Sequence, residues 1–201
     1  MKVIIYSIIV FLSFSEINSA TSLPDSTSPM PQFRNIPWGS SSENVKEIES
    51  SFYLQKFIGF GVETLSYKDN LAGINSRVDY TFKNNKLTEG AYIIKPDESF
   101  KSDLLYILKY LSDEFGKPGF RSGPLYIADK IWVKENDYGS YSGPSYYWIF
   151  SDGFIALISQ KFEDDITISV LFAHGSSIGR YAENNGVKLD QFEFSPIGNR
   201  P

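Results

Sequence analysis

Apolar and polar residues change their spacing several times along this chain, and each change marks an element. Val3 to Phe14 is an apolar run broken only by Tyr6, Ser7 and Ser13, directly behind Lys2. Ser15-Glu16-Ile17-Asn18-Ser19-Ala20 follows, with the small residues a signal peptidase accepts. This layout predicts a secretory signal over residues 1–20, cut after Ala20 and too short to span a bilayer comfortably. Residues 21–32, TSLPDSTSPMPQ, are rich in Ser, Thr and Pro without any period, and read as a flexible spacer.

A single domain is expected over residues 33–175. It opens with FRNIPWGSSSENVKEIES, residues 33–50. Ser40 with Glu43 three places on fits a capping box, and Val45, Ile48 and Phe52 then share one helical face. Ile36 and Trp38 stand just ahead of that face, and Gly39 lets the chain turn between them and the helix. Trp38 reads as a packing residue there, with stacking on a ligand as the functional alternative.

Beyond this helix the period falls to 2. Residues 61–68, 74–83 and 86–95 alternate or run apolar like strands. In the second of them Val78, Tyr80 and Phe82 share one face and Arg77, Asp79 and Thr81 the other. Asn84-Asn85 is a two-residue hairpin signal, because Asn tolerates positive φ. A second helix follows from an Asp97 cap, with Leu104, Leu108, Leu111 and Phe115 as its stripe and Gly116 and Pro118 as its stop. Strands resume over 124–135, 145–151, 153–160 and 165–173, the middle two pairing across Asp152-Gly153. In the last, Ile166, Ile168, Val170 and Phe172 oppose Thr167, Ser169 and Leu171. The expected class is α+β: helix-βββ-helix-βββ(β), an antiparallel sheet with two helices packed on one face. Its two halves share a pattern without sharing residues. Residues 176–201 form a C-terminal extension in which VKLDQFEFS is a candidate edge strand or wrap.

Composition narrows the chemistry. The chain of 201 residues has no cysteine, so disulfides, thiolate catalysis and cysteine metal sites are excluded together, as is lipidation on cysteine. An exported domain of this kind stands on its core alone. The content of 42% hydrophobic and 16% aromatic residues supplies that core. A net charge of −5 with scattered Lys and Arg argues against nucleic acid and anionic membrane surfaces as partners. No segment after signal cleavage is apolar enough to be transmembrane.

The aromatic-Trp-Gly-Ser approach to a short helix, then VDYTFKNNKL, then a helix ending YLSDEFGKPG, resembles a class of uncharacterised secreted bacterial proteins. Their domain is similar to the β-lactamase-inhibitor-protein (BLIP-like) and outer-membrane-assembly small lipoprotein (SmpA/OmlA) fold, a helix plus antiparallel strands, sometimes duplicated. The resemblance covers about residues 33–173 and rests on structural punctuation. The chain departs from the lipoproteins in having no lipid-accepting cysteine, and from the inhibitor proteins in having no disulfides. What the resemblance implies is a binding or scaffolding module, with no catalytic residues to carry over.

Catalytic constellations are missing as well. His174 is the only histidine, so triads and histidine metal sites lack partners, and Ser176 and Ser177 beside it are only neighbours in sequence. GSYSG, residues 139–143, has Tyr141 where a nucleophile elbow needs serine. GKPGFRSG, residues 116–123, leaves a helix instead of opening one, unlike a phosphate loop. Glu163-Asp164-Asp165 lacks the spacing of a calcium loop and reads as a solvated turn. No cofactor or metal is expected, and no catalytic residue is assigned. One stretch suits recognition. NDYGSYSGPSYYW, residues 136–148, sets Tyr138, Tyr141, Tyr146 and Tyr147 among Gly and Ser, with Trp148 already in a strand. The expectation is a periplasmic or extracellular, non-enzymatic module binding a protein or cell-envelope component. The rival expectation is a small carboxylate-based hydrolase of envelope polysaccharide, which needs two carboxylates facing one another across a cleft.

Overall fold

Residues 28–96, 99–122, 133–134, 140–162 and 165–175 are described by the computed structural model of the chain. The expected signal, most of the spacer, the Asp97 cap, Tyr138, the Glu163-Asp164 pair and the extension 176–201 lie outside them. The chain runs α1 (Ser42–Ile48), β1 (Phe52–Gly59), β2 (Val62–Leu71), β3 (Ile74–Lys83), β4 (Lys86–Ile94) and α2 (Phe100–Phe115). It continues through β5 (Phe120–Ser122), β6 (Val133–Lys134), β7 (Ser140–Phe150), β8 (Gly153–Phe162) and β9 (Asp165–His174). It is a mixed α+β fold with an antiparallel sheet. The described strands form one sheet in the order β1-β2-β3-β4-β9-β8-β7-β5, with β6 also on β7. No helix among the described residues is long and apolar enough to cross a membrane.

The alternation read from sequence sets the faces. Val78, Tyr80 and Phe82 of β3 lie beside Leu65 and Tyr67 of β2, and across β4 and β9 the same face continues through Ile168, Val170 and Phe172. Val45 of α1 and Phe100, Leu104, Ile107 and Leu111 of α2 belong to the same buried cluster. Burying such side chains is worth about 1.5–3 kcal/mol each, which makes this face the main stabilising element. The opposite face of β7, β8 and β9 carries a smaller buried set, Tyr147, Phe154, Ala156 and Ala173. The Asn84-Asn85 turn closes β3 onto β4 with φ of +53° and +55°, as a hairpin of two left-handed residues requires.

Several expectations are corrected. The α1 cap is Ser41, whose Oγ accepts from the Asn44 N–H at 3.2 Å, while Ser40 donates to the Pro37 carbonyl. Of the expected face only Val45 is buried, because the helix ends at Ile48 and Phe52 already starts a strand. That strand, β1, is an extra one, so the order is one helix with four strands and then one helix with five. In α2 the residue completing the stripe is Ile107, and Leu108 is only partly buried. Of the strand expected over 124–135, only Val133–Lys134 is described. The presumed loop before Trp148 is also strand, since β7 starts at Ser140. Gly143 and Pro144 fit because they occupy a bulge between Ser142 and Ser145, where a ladder tolerates proline. The two residues turning β7 into β8 are Ser151 and Asp152, with Phe150 opposite Gly153.

The described end of the spacer is packed. Met30 is buried, and its N–H donates to Asp152 Oδ1 at 2.6 Å. The Ser151 N–H and hydroxyl both reach the Ser28 carbonyl. The domain therefore starts by Ser28, and the apolar Met30 explains why.

Candidate functional site

The stretch 28–40 lies across the seam between the two halves of the sheet, β4 against β9. At that seam Gly90 pairs with Phe172 on one side and Tyr80 on the other. A glycine leaves a hole in the packed face, and the Phe33 ring fills it. The ring sits 5.2 Å from Tyr80, 5.3 Å from Tyr92 and 5.0 Å from Phe172, and a Cβ at Gly90 would overlap it. The chain then turns back through Arg34 and Asn35, both with positive φ, and Ile36 N–H closes the turn on the Phe33 carbonyl at 3.0 Å. Trp38 follows, its Nε1–H donating to the Pro31 carbonyl at 3.1 Å and its ring stacked on His174 at 5.2 Å. Trp38 is thus a packing residue, and His174 is a half-exposed residue at a strand end with Asp152 at 3.4 Å.

The tight turn aims Arg34 into a polar cluster. Its guanidinium donates to both oxygens of Glu49, at 2.9 and 3.1 Å, and to Ser51 Oγ at 2.9 Å. It also pairs with Asp69 at 2.5 Å and lies over the Tyr92 ring at 5.9 Å. Tyr80 donates its hydroxyl to Glu49, as does the Ser51 N–H. Burial alone would push the Glu49 carboxyl up, but the hydrogen bonds from Arg34, Tyr80 and Ser51 outweigh it and hold the group at about 2. Asp69 is likewise lowered, its burial offset by Ser51, the Asn70 N–H and Arg34. Burial and the facing Glu49 raise the Tyr80 hydroxyl.

Both carboxylates are therefore ionised near neutrality and occupied by donors. Neither holds a proton to give to a leaving group. Glu89 is different, since burial raises it against an opposing Lys83. It stands on the other side of the sheet, next to Thr81 and Ala173, where Tyr80 faces the Glu49 side. An acid and a base facing one another across one cleft are not formed by these three groups. Among the described residues, no three histidine or acidic side chains converge as a metal site.

Beside the cluster a cleft of about 530 Å³ opens between the 31–35 segment and α2. Its walls include Tyr92, Tyr110, Phe115 and Phe172, with Arg34 and Glu114 as charged groups. Tyr110 is substantially exposed. Aromatic walls with a few polar groups are the usual make-up of a ligand pocket.

Of the four tyrosines proposed from sequence, Tyr146 and Tyr147 do not share one surface. Tyr146 and Trp148 face the main core, and Tyr147 points to the opposite side and is buried against Phe154 and Ala156. Adjacent strand residues must point apart, so Tyr146 and Tyr147 cannot grip one ligand together. Burial raises the Tyr146 hydroxyl. The backbone of Tyr141 pairs with Lys161 and Lys134 in β7. Compared with known proteins, the chain matches no family model, no curated protein and no solved structure.

Proposed function

We propose that the chain is an exported, non-enzymatic binding module that takes a protein segment or cell-envelope component into the cleft between α2 and the 31–35 segment. One observation carries this reading: the cleft is walled by aromatic side chains of which Tyr110 stands exposed, while Arg34 beside it is already held by Glu49 and Asp69. Such a site offers contact area and hydrogen bonds but no free acid–base pair. Export is supported by the three-part signal over 1–20, and a periplasmic or extracellular location follows from it. The BLIP-like, SmpA/OmlA-like resemblance belongs to the same proposal, supported by a helix and then antiparallel strands, twice over. In this reading both helices cover one sheet face, and the cleft is the gap that they and the 31–35 segment leave. The test pairs mass spectrometry with binding. The exported protein should begin at or near Thr21. Envelope extract passed over the mature protein should yield a ligand whose affinity falls by roughly 30-fold or more in Tyr110→Ala, the loss expected of a hot-spot aromatic. An intact Met1 on cytoplasmic protein, or full binding by the variant, would refute it.

A further inference from the structure

The edge strand β1 is unusual for a natural sheet end. It is eight residues long and pairs only with β2 among the described residues. Ile48 beside it and Phe52, Tyr53, Leu54, Ile58 and Phe60 along it are between 44% and 80% exposed. At roughly 200 Å² per large side chain these fractions leave about 700 Å² of apolar surface open, shared between the two sides of the strand, with Tyr53 and Ile58 on the core side and Phe52 on the other. A strand added at the edge covers side chains on both of these sides, so that area compares with the about 800 Å² that one side of a standard interface covers. Edges that must stay single carry charge or proline. Here the only charge is Lys56, already paired with Glu63 at 2.9 Å.

We propose that β1 pairs antiparallel with β1 of a second copy, extending the sheet across a two-fold axis. The register follows from the backbone. Gly59 faces Val62 across the two-residue Phe60-Gly61 turn, so that pair bonds inward, and alternation points the N–H and C=O of Ile58 and Lys56 outward. Outward groups must meet outward groups, which leaves the axis on residue 55, 56 or 57. An axis on Lys56 would set two ammonium groups face to face. One on Gln55 would run the ladder through the bulge between Tyr53 and Gln55. The axis on Phe57 avoids both, because its ladder runs from Gln55 to Gly59, beyond the bulge. It sets Phe57 against its own copy and Lys56 against Ile58, with Leu54 of the bulge and Phe60 of the turn just beyond each end of the ladder. The apolar ends thereby cover one another twice, as an isologous interface requires. This inference is independent of the ligand cleft, none of whose lining residues belongs to β1.

The absence of cysteine makes the register testable. Light scattering on the purified protein between about 1 and 100 μM should give the mass of two chains, and Ile58→Lys should return it to one with an unchanged circular dichroism spectrum. Phe57→Cys should cross-link into a dimer on mild oxidation, because directly opposed residues fall within disulfide reach. Gln55→Cys should not, as it meets Gly59 of the other copy. A single-chain mass over the whole range, a dimer that survives Ile58→Lys, or cross-linking through Gln55→Cys in place of Phe57→Cys would overturn the proposal. A monomer that took up a strand-forming peptide along β1 would overturn it too, by assigning the edge to a different chain.

Discussion

Replacing Glu49 with Gln tests whether the Arg34 cluster holds the fold together. The Glu49 side chain is only 3% exposed and accepts two bonds from one guanidinium. Lowering its carboxyl from 4.5 to about 2 corresponds to about 3 kcal/mol of stability. Breaking a fully buried pair costs about 3–5 kcal/mol. Here the guanidinium is partly solvated and keeps Asp69 at 2.5 Å, so Glu49→Gln should cost about 2–3 kcal/mol at pH 7. The sign of the pH dependence is fixed by the direction of the shift. The folded value lies below the unfolded one, so the contribution is complete above the ordinary carboxyl range and is lost as pH falls through the folded value. Urea unfolding of both proteins from pH 7 to pH 2 should therefore show a gap that is wide at neutrality and narrows below about pH 4.5. A gap under about 0.5 kcal/mol at pH 7, the size of an ordinary surface effect, would refute the reasoning. A gap that stayed constant with pH would do so as well.

Three other substitutions probe the packing. Gly90→Ala drives a methyl into the Phe33 ring and should cost about 1–3 kcal/mol in thermal unfolding; combined with Phe33→Ala it should cost less than the two single changes added together, since the clash is then gone. Trp38→Ala removes a half-buried ring stacked on His174 and its bond to Pro31, and about 2 kcal/mol of stability should go with it. Tyr147→Ala should lower stability by about 3 kcal/mol because the ring is core, and a loss of binding at unchanged melting temperature would restore it to a recognition surface.

Strand β3 was legible because one of its faces is buried and the other is not, which writes a period of 2 into the sequence, and β8 was legible as an apolar run because both of its faces are covered. The same logic hid β1. An edge strand with exposed residues on both sides has no reason to alternate, and the bulge between Tyr53 and Gln55 shifts the phase of whatever pattern remains. Its hairpin also turns through Phe60 at a φ of +53°, a position where sequence reasoning looks for Asn or Gly. In β7 the error ran the other way. Gly143 and Pro144 are turn residues by composition, yet a bulge gives both a place inside a ladder.

The Arg34 cluster left no such trace. Arg34, Glu49 and Asp69 lie 15 and 20 residues apart along the chain and belong to a turn, a helix cap and a strand. They converge only because Phe33 must fill the hole at Gly90, and that need is a property of the sheet seam. Once the ring is seated, the turn behind it has little freedom. Arg34 is then carried over the buried face, where an unpaired guanidinium would be costly and two carboxylates become necessary. The polar site is thus a consequence of an aromatic packing problem, and the cleft beside it inherits its aromatic wall from the same residues. If this order of causes is right, Phe33→Ala should disturb the Arg34 cluster more than Arg34→Ala disturbs the packing around Gly90. Amide exchange at Ser51, whose N–H is held by Glu49, registers the first change and exchange at Gly90 the second; a larger acceleration at Gly90 in Arg34→Ala than at Ser51 in Phe33→Ala would reverse the order.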